Sequence, residues 1–346
     1  MDLNTVEKGG RNAPTLASIA EKVGVSVNTV SRALRAPNTV RPELRRRINS
    51  AMEELNYVPN RLAGGLSSTR SDIVAVVVTS LYYSEFASIV DSLQSALLER
   101  DMQVMLANTR YDADQEQRLV RSLLSWRPTA VAIIGVDHPP KVVELLKASG
   151  IPIIEMWDTG GEVIDTAVGF DHTAVGAAQA DHLIAGGYRR LAFVGSVREN
   201  DKRAQKRLRG LEDGAALAGL PRIVTHTDQQ GGSSELGERL AHELLEYHPE
   251  IDAIACNSDV VAFGVLRALK KLGKRVPEDI GVVGFGDNEA ASCVSPALTT
   301  IRPNRETIGK LTAEAIFARI NGVPPSITLV DWKLVVRESA IRKETR

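Results

Sequence analysis

Residues 16–35 read LASIAEKVGVSVNTVSRALR. Ile19, Ala20 and Val23 fall at i, i+1 and i+4, along one face of a short helix. Gly24 stands where a tight turn between helices wants a residue free of Cβ strain, and Ser26 is a good N-cap for a second helix. Val30 and Leu34 give that second helix an apolar face at i, i+4, and the small Ala20 lets the two helices approach closely. Val27, Asn28, Ser31 and Arg32 are left on other faces, and asparagine and arginine can make bidentate hydrogen bonds to base edges. The stretch predicts a helix-turn-helix; an ordinary helical hairpin is the competing reading of these residues alone.

Working outward, residues 1–14 are polar, with Gly9, Gly10 and Pro14, and are expected to form a disordered tail. On the other side, residues 41–56 predict a third helix with Pro42 in its first turn. Leu44, Ile48, Met52 (or Ala51) and Leu55 form its core stripe, while Arg45, Arg46 and Arg47 face mostly outward. Residues 60–66, NRLAGGL, suit a short helix capped by Asn60. Gly64 and Gly65 weaken it, so it should be ordered by a partner and not by its own propensity. Ser67 to Arg70 make a polar joint.

From Asp72 the pattern changes. DIVAVVVT is a continuous β-branched run, as in a buried parallel strand. Strands are expected at 73–79, 103–107, 130–134, 153–156 and 167–170, then at 191–194, 223–227, 253–255, 281–283 and 332–337. Helices are expected at 86–100, 114–126, 140–149, 175–185, 236–247, 260–272 and 305–320. This is βαβ repetition twice over: an α/β body of two doubly wound lobes with a cleft between them. Ligands in such folds bind outside the carboxyl ends of the strands. Ser80, Tyr83 and Phe86 follow the first strand, Glu155 and Trp157 end the fourth, and Asn257, Asp259 and Asp287 follow strands of the second series. The aromatic residues suit a sugar-binding wall, or equally a core or dimer contact. Lys202, Arg203, Lys206, Arg207 and Arg209 cluster near one helix start, placed to offer one or two charges to an anionic ligand. A surface salt bridge is the plain alternative for Arg207, and a helix N-cap for Asp259.

The motifs TLASIAEKVGVSVNTVSRAL and, beyond them, AMEELNYVPNRLAGGL resemble the lactose-repressor (LacI/GalR) family of bacterial transcription regulators. WRP, EMWD and AVGFDH are similar to its gluconate-repressor branch. The resemblance covers nearly the whole chain after residue 14. It implies a helix-turn-helix domain at 15–58, a hinge at 59–71 and a body at 72–346 of the periplasmic sugar-binding-protein type. Lobe 1 would hold about 72–170 and 304–324, lobe 2 about 171–300 and 329–346. The chain would cross between lobes near 170–172, 300–304 and 324–329. In the DNA-binding head, Val27, Asn28 and Arg32 would contact bases, and Thr15, Ser26, Thr29, Ser31 and Asn60 would hold phosphates. Ala63 would sit at the minor-groove floor, with Leu66 as the wedge at the central base step. Arg35 and Arg41 depart from the short polar phosphate contacts of the lactose repressor. In the cleft, Arg207 matches the family's effector-gripping arginine and Asp259 its hydroxyl-binding aspartate.

The totals agree with this division. The net charge of −1 averages unlike parts: residues 1–70 hold 11 Lys+Arg against 6 Asp+Glu, and the remainder 31 against 37. A basic head on an acidic body suits a head that binds polyanion. Cys256 and Cys293 make no disulfide framework or metal cluster and are expected to be buried thiols. There is no signal-peptide pattern and no apolar run long enough for a bilayer, so a cytoplasmic location without membrane contact is expected. No catalytic residue, cofactor or metal is expected, since no P-loop, zinc-ligand spacing or G-x-S-x-G elbow appears. The expected partners are operator DNA, a sugar or sugar-acid effector, and a second copy of the chain. No leucine-heptad segment follows the last strand, so a dimer is expected. A sugar-binding protein without an operator role, or a sugar-processing enzyme, are the competing functions.

Overall fold

The computed structural model describes residues 14–58 and 71–342. The expectations for the tail at 1–13 and the hinge, with Asn60, Ala63 and Leu66, lie outside the described residues, as does the side chain of Arg35. The chain forms two compact units that divide between Ser71 and Asp72.

In the first unit, α1 (Leu16–Val23) starts from a capping box. Thr15 accepts the Ser18 N–H, and the Ser18 hydroxyl accepts the N–H of Thr15, so two otherwise orphaned donors are satisfied. Gly24 ends the helix at φ 75°, a left-handed conformation that glycine adopts without cost. Ser26 caps α2 (Val27–Arg35) through the Thr29 N–H. The third helix, α3 (Pro42–Glu54), opens on Pro42. Ile19, Ala20, Val23, Val30, Ala33, Ile48 and Ala51 form the core. Ala33 takes the place expected of Leu34, which is only half-buried. The Arg47 guanidinium donates to the Val23 carbonyl at 2.6 Å and ties α3 to the end of α1.

The second unit holds two six-stranded sheets. Lobe 1 contains β1 (Ile73–Val78), β2 (Gln103–Asn108), β3 (Ala130–Ile134), β4 (Ile153–Asp158), β5 (Thr166–Phe170) and a late strand, β11 (Ile327–Leu329). Their spatial order is β11-β5-β4-β3-β1-β2, all parallel. Lobe 2 contains β6 (Leu191–Ser196), β7 (Val224–Asp228), β8 (Ala253–Cys256), β9 (Gly281–Phe285), β10 (Thr299–Pro303) and β12 (Trp332–Val335). Their order is β12-β10-β9-β8-β6-β7, and β12 alone runs antiparallel to its neighbour. The expected α/β class and double winding are thus present.

Two differences concern the crossings. The crossing expected at 300–304 is strand as far as Pro303, where β10 pairs with β9, and the one expected at 324–329 contains β11, which pairs with β5. The last crossing therefore falls between Leu329 and Trp332 and not at 324–329, because β11 satisfies its backbone on the lobe 1 sheet first. Cys256 is buried as expected, but Cys293 is exposed, since it caps a short 3-10 turn at the surface.

Helices cover both faces of each sheet. In lobe 1, α4 (Ser84–Leu98) and α11 (Arg305–Ile320) pack on one face, α5 (Ala113–Ser125) and α6 (Pro140–Ser149) on the other. In lobe 2, α7 (His172–Ala185) pairs with α8 (Lys202–Leu217), and α9 (Ser234–Tyr247) with α10 (Asp259–Lys271). The α7–α8 pair meets through glycine. A Cβ on Gly176 would lie 1.9 Å from the Arg207 carbonyl oxygen, and one on Gly210 would lie 1.9 Å from that of Thr173. Only bare backbone fits at either point.

Candidate ligand cleft and nucleic-acid interface

The strand ends of the two lobes face each other, as doubly wound sheets place their ligand sites. Between them is a cavity of about 50 Å³. Lobe 1 contributes Tyr83, Glu85 and Phe86 after β1, Tyr111 after β2 and Trp157 at the end of β4. Lobe 2 contributes Ser196, Arg198, Asp201, Arg203, Arg207, Asn257, Ser258 and Phe285. Tyr111 and Trp157 hold left-handed backbone, φ 62° and 79°, and strain of this kind gathers at ligand sites. Trp157 packs edge-on against Phe86, Phe170 and Phe285.

Arg207, like Arg203 and Glu85, is a buried charge of this wall, and it is only 5% exposed. Its guanidinium donates to the His172 ring at 2.9 Å and to the Asn257 carbonyl at 3.2 Å, and it lies 4.0 Å over the Phe285 ring. Its Nε has no partner, and no carboxylate lies within ion-pair distance among the described residues. Burial first, then Arg207, Arg203 and Lys206, hold His172 well below the ordinary histidine range. The ring is therefore neutral, and its Nδ1 is free to accept.

The lobes are tied across the cleft. Lys206 Nζ reaches Asp137 at 2.5 Å and Asp158 at 2.6 Å. Arg203 donates to the Thr79 hydroxyl at 3.3 Å, and the Gly232 N–H donates to the Tyr83 hydroxyl oxygen at 3.1 Å. These bonds close the cleft to its small volume.

Of the nine cleft candidates, the structure brings together Tyr83, Phe86, Trp157, Arg207 and Asn257. The other four sit apart from this cavity. Ser80 accepts the Tyr82 N–H at its own turn. Glu155 points away, accepting the Ile164 N–H with Oε2 and leaving Oε1 3.6 Å from His138. Asp259 is buried behind the wall: its carboxyl accepts from the Thr300 hydroxyl and the Asn288 N–H, while Ser258 is the N-cap of α10. Burial pushes Asp259 up to about 7. Asp287 is paired with Arg302 and Arg337. Tyr111, Ser196, Arg198, Asp201, Ser258 and Phe285 line the cavity but were not among the candidates, whereas Glu85 lies in the strand-end stretch 80–86 that was. Tyr111 and Arg198 had a usable signal, each lying just beyond a strand end.

On the head, Thr15, Ser26, Val27, Asn28 and Arg32 are exposed, and Thr29 and Ser31 half-exposed. Val27 is an exposed branched aliphatic, 43% accessible, at the start of α2. The Ser26 and Thr29 hydroxyls lie 2.9 Å apart at the N-terminus of α2, where backbone N–H groups and helix dipole favour anions.

Comparison with known proteins follows the same division. Residues 15–60 match the model of bacterial regulatory proteins of the lacI family, and residues 180–340 that of a periplasmic binding protein-like domain. The HTH-type transcriptional regulator GntR of Pseudomonas aeruginosa is 35% identical over 343 residues, spanning 98% of each chain. The chain belongs to the LacI family. A LacI family regulator from Silicibacter pomeroyi superposes with a TM-score of 0.90 at 31% identity, covering 95% of this chain and 100% of the other. The lac repressor dimer bound to operator and the anti-inducer ONPF superposes at 0.81 with 25% identity, covering 95% and 99%. LacI-family membership makes this chain a DNA-binding transcription regulator with a ligand-binding body. Among the described residues, no helix is long and apolar enough to cross a membrane, and no cluster of His, Cys, Asp and Glu is placed to hold a metal ion.

Proposed function

We propose that this regulator is a cytoplasmic homodimeric repressor of sugar-acid utilisation genes, with a gluconate-like acid as the effector in its inter-lobe cleft. The observation that carries the ligand class is Arg207, a buried guanidinium with a free Nε and no carboxylate partner. An unpaired buried charge is costly, and an acid that enters beside it removes that cost. The rings of Tyr83, Phe86 and Trp157 suit the C–H faces of a polyol chain. The cavity is smaller than a six-carbon acid, so entry requires the lobes to part.

In this reading residues 15–58 bind DNA, 59–71 form the hinge and 72–346 bind effector and dimerise. Val27, Asn28 and Arg32 read bases, with Val27 favouring a thymine methyl. Thr15, Ser26, Thr29, Ser31 and Asn60 hold phosphates, and Ala63 and Leu66 enter the minor groove. Two copies place two heads on the half-sites of a near-palindromic operator. The cleft binds and does not turn its ligand over.

The test is binding of the full chain to the DNA upstream of its own gene, across a panel of sugars and sugar acids. Sugar acids should change the affinity and neutral sugars should not, and Arg207→Met should remove the response. Affinity no better than for random duplex at physiological salt overturns the repressor reading. Sustained conversion of an aldonate overturns the non-catalytic one.

A further inference from the structure

We propose that the effector carries two anionic groups, a sugar acid whose other end bears a second carboxylate or a phosphate. This rests on the reading of the cleft as a sugar-acid site and narrows it. The cavity collects three guanidinium groups, those of Arg198, Arg203 and Arg207. One of them has a carboxylate beside it: Arg203 Nε lies 3.7 Å from Asp201. That carboxylate is already engaged, because its Oδ1 also accepts the Ala204 N–H in the first turn of α8.

The other two have no ion-pair partner among the described residues. Arg207 bonds only to a neutral imidazole and a carbonyl. Arg198 is half-buried with its guanidinium 4.7 Å over the Tyr111 ring, and among the described residues its side chain makes no hydrogen bond or ion pair. The remaining carboxyl of the lining, Glu85, is buried, and among the described residues it makes no ion pair with either guanidinium. The lining thus sets three guanidinium groups against two carboxylates, and neither carboxylate is in ion-pair contact with Arg198 or Arg207.

The two free cations sit against different rings, Arg207 on Phe285 and Arg198 on Tyr111. A ligand that satisfies both must present an anion toward each, with its hydroxylated carbons between. On this reading a single-ended acid such as gluconate, held by its carboxylate at Arg207, offers Arg198 no anion.

Calorimetric titration of the full chain at physiological salt tests this, with D-gluconate, D-glucarate and 6-phospho-D-gluconate as probes. At least one dianion should bind about tenfold more tightly than gluconate, the yield of one added charge-assisted hydrogen bond. Which dianion gains separates a second carboxylate from a phosphate. Arg198→Gln should cut that ratio to below about threefold, whereas Arg198→Lys, which keeps the charge but not the planar stacking fork, should retain part of it. Gluconate binding as tightly as both dianions overturns the inference while the sugar-acid reading stands, as does a ratio that survives Arg198→Gln. Failure of all three acids to bind overturns the sugar-acid reading itself.

Discussion

Replacing Lys206 with methionine should loosen the cleft without unfolding the body. Lys206 lies on α8 in lobe 2, and both its partners, Asp137 and Asp158, belong to lobe 1. Asp158 is fully buried, and its second oxygen accepts the Gly160 N–H at 2.8 Å. Methionine keeps the length of the side chain but leaves Asp158 without a cation while the lobes are closed. Removing one partner of a fully buried pair costs about 3–5 kcal/mol. Here the Lys206 and Asp137 side chains are 17% and 38% exposed, so water screens part of the loss and about 2 kcal/mol is the better figure. Because opening rehydrates Asp158, that cost falls on the closed arrangement alone and shifts the closed-to-open ratio by roughly thirtyfold. The Gly232 N–H, bonded across the cleft to Tyr83, reports the opening directly. Its hydrogen exchange should speed up about thirtyfold, while amides of the buried strand β1 keep their protection. Unchanged exchange at Gly232, or an equal loss of protection throughout β1, would refute the reasoning.

Gly176→Ala drives a Cβ to within 1.9 Å of the Arg207 carbonyl oxygen, so it should cost about 2 kcal/mol or more in denaturant melts and weaken effector binding along with it. Burial raises Glu155 to about 7, above its unfolded value, so the folded chain binds the extra proton. Its contribution is complete below about pH 4 and is lost as pH rises toward 7, at a cost of about 2–4 kcal/mol. Glu155→Gln, which mimics the protonated form, should flatten that part of the stability–pH curve; an unchanged slope would sink the assignment. Arg32→Ala should weaken operator binding by about 1–3 kcal/mol and relax discrimination at one base pair, as measured by competition with single-base variants of the operator.

The strands of the body were legible because they are buried on both faces and therefore read as unbroken apolar runs, as in IVAVVV of β1. The head was legible because Gly24 and Ser26 do their capping with local chemistry alone. By contrast, α8 was seen only as a cluster of charges. Its buried face is Arg203, Ala204, Arg207, Gly210, Leu211, Gly214 and Ala215, small residues and arginines that give no aliphatic stripe. The assignment of Glu155 failed at one backbone angle. In an alternating strand Glu155 and Trp157 share a face, but Trp157 takes φ 79° and packs with Ile154 and Met156 instead. The ring turns into the aromatic cluster and Glu155 is left facing His138. Nothing in side-chain periodicity carries that information.

The same helix that escaped notice couples the two events of the cleft. Gly210 and Gly214 press α8 onto α7 with no space for a methyl group, so α8 moves with lobe 2 as a rigid piece. Lys206, which holds lobe 1, and Arg207, whose buried Nε has no partner, are adjacent on it. The lobes cannot part enough to admit a ligand while both Lys206 bonds survive, and they cannot re-form those bonds unless the ligand leaves α8 at its original distance from β3 and β4. If the proposed acid binds at Arg207, its size is read as the state of Lys206. An acid small enough to permit the bonds favours closure, and a larger one favours separation, each by its differential affinity for the two arrangements.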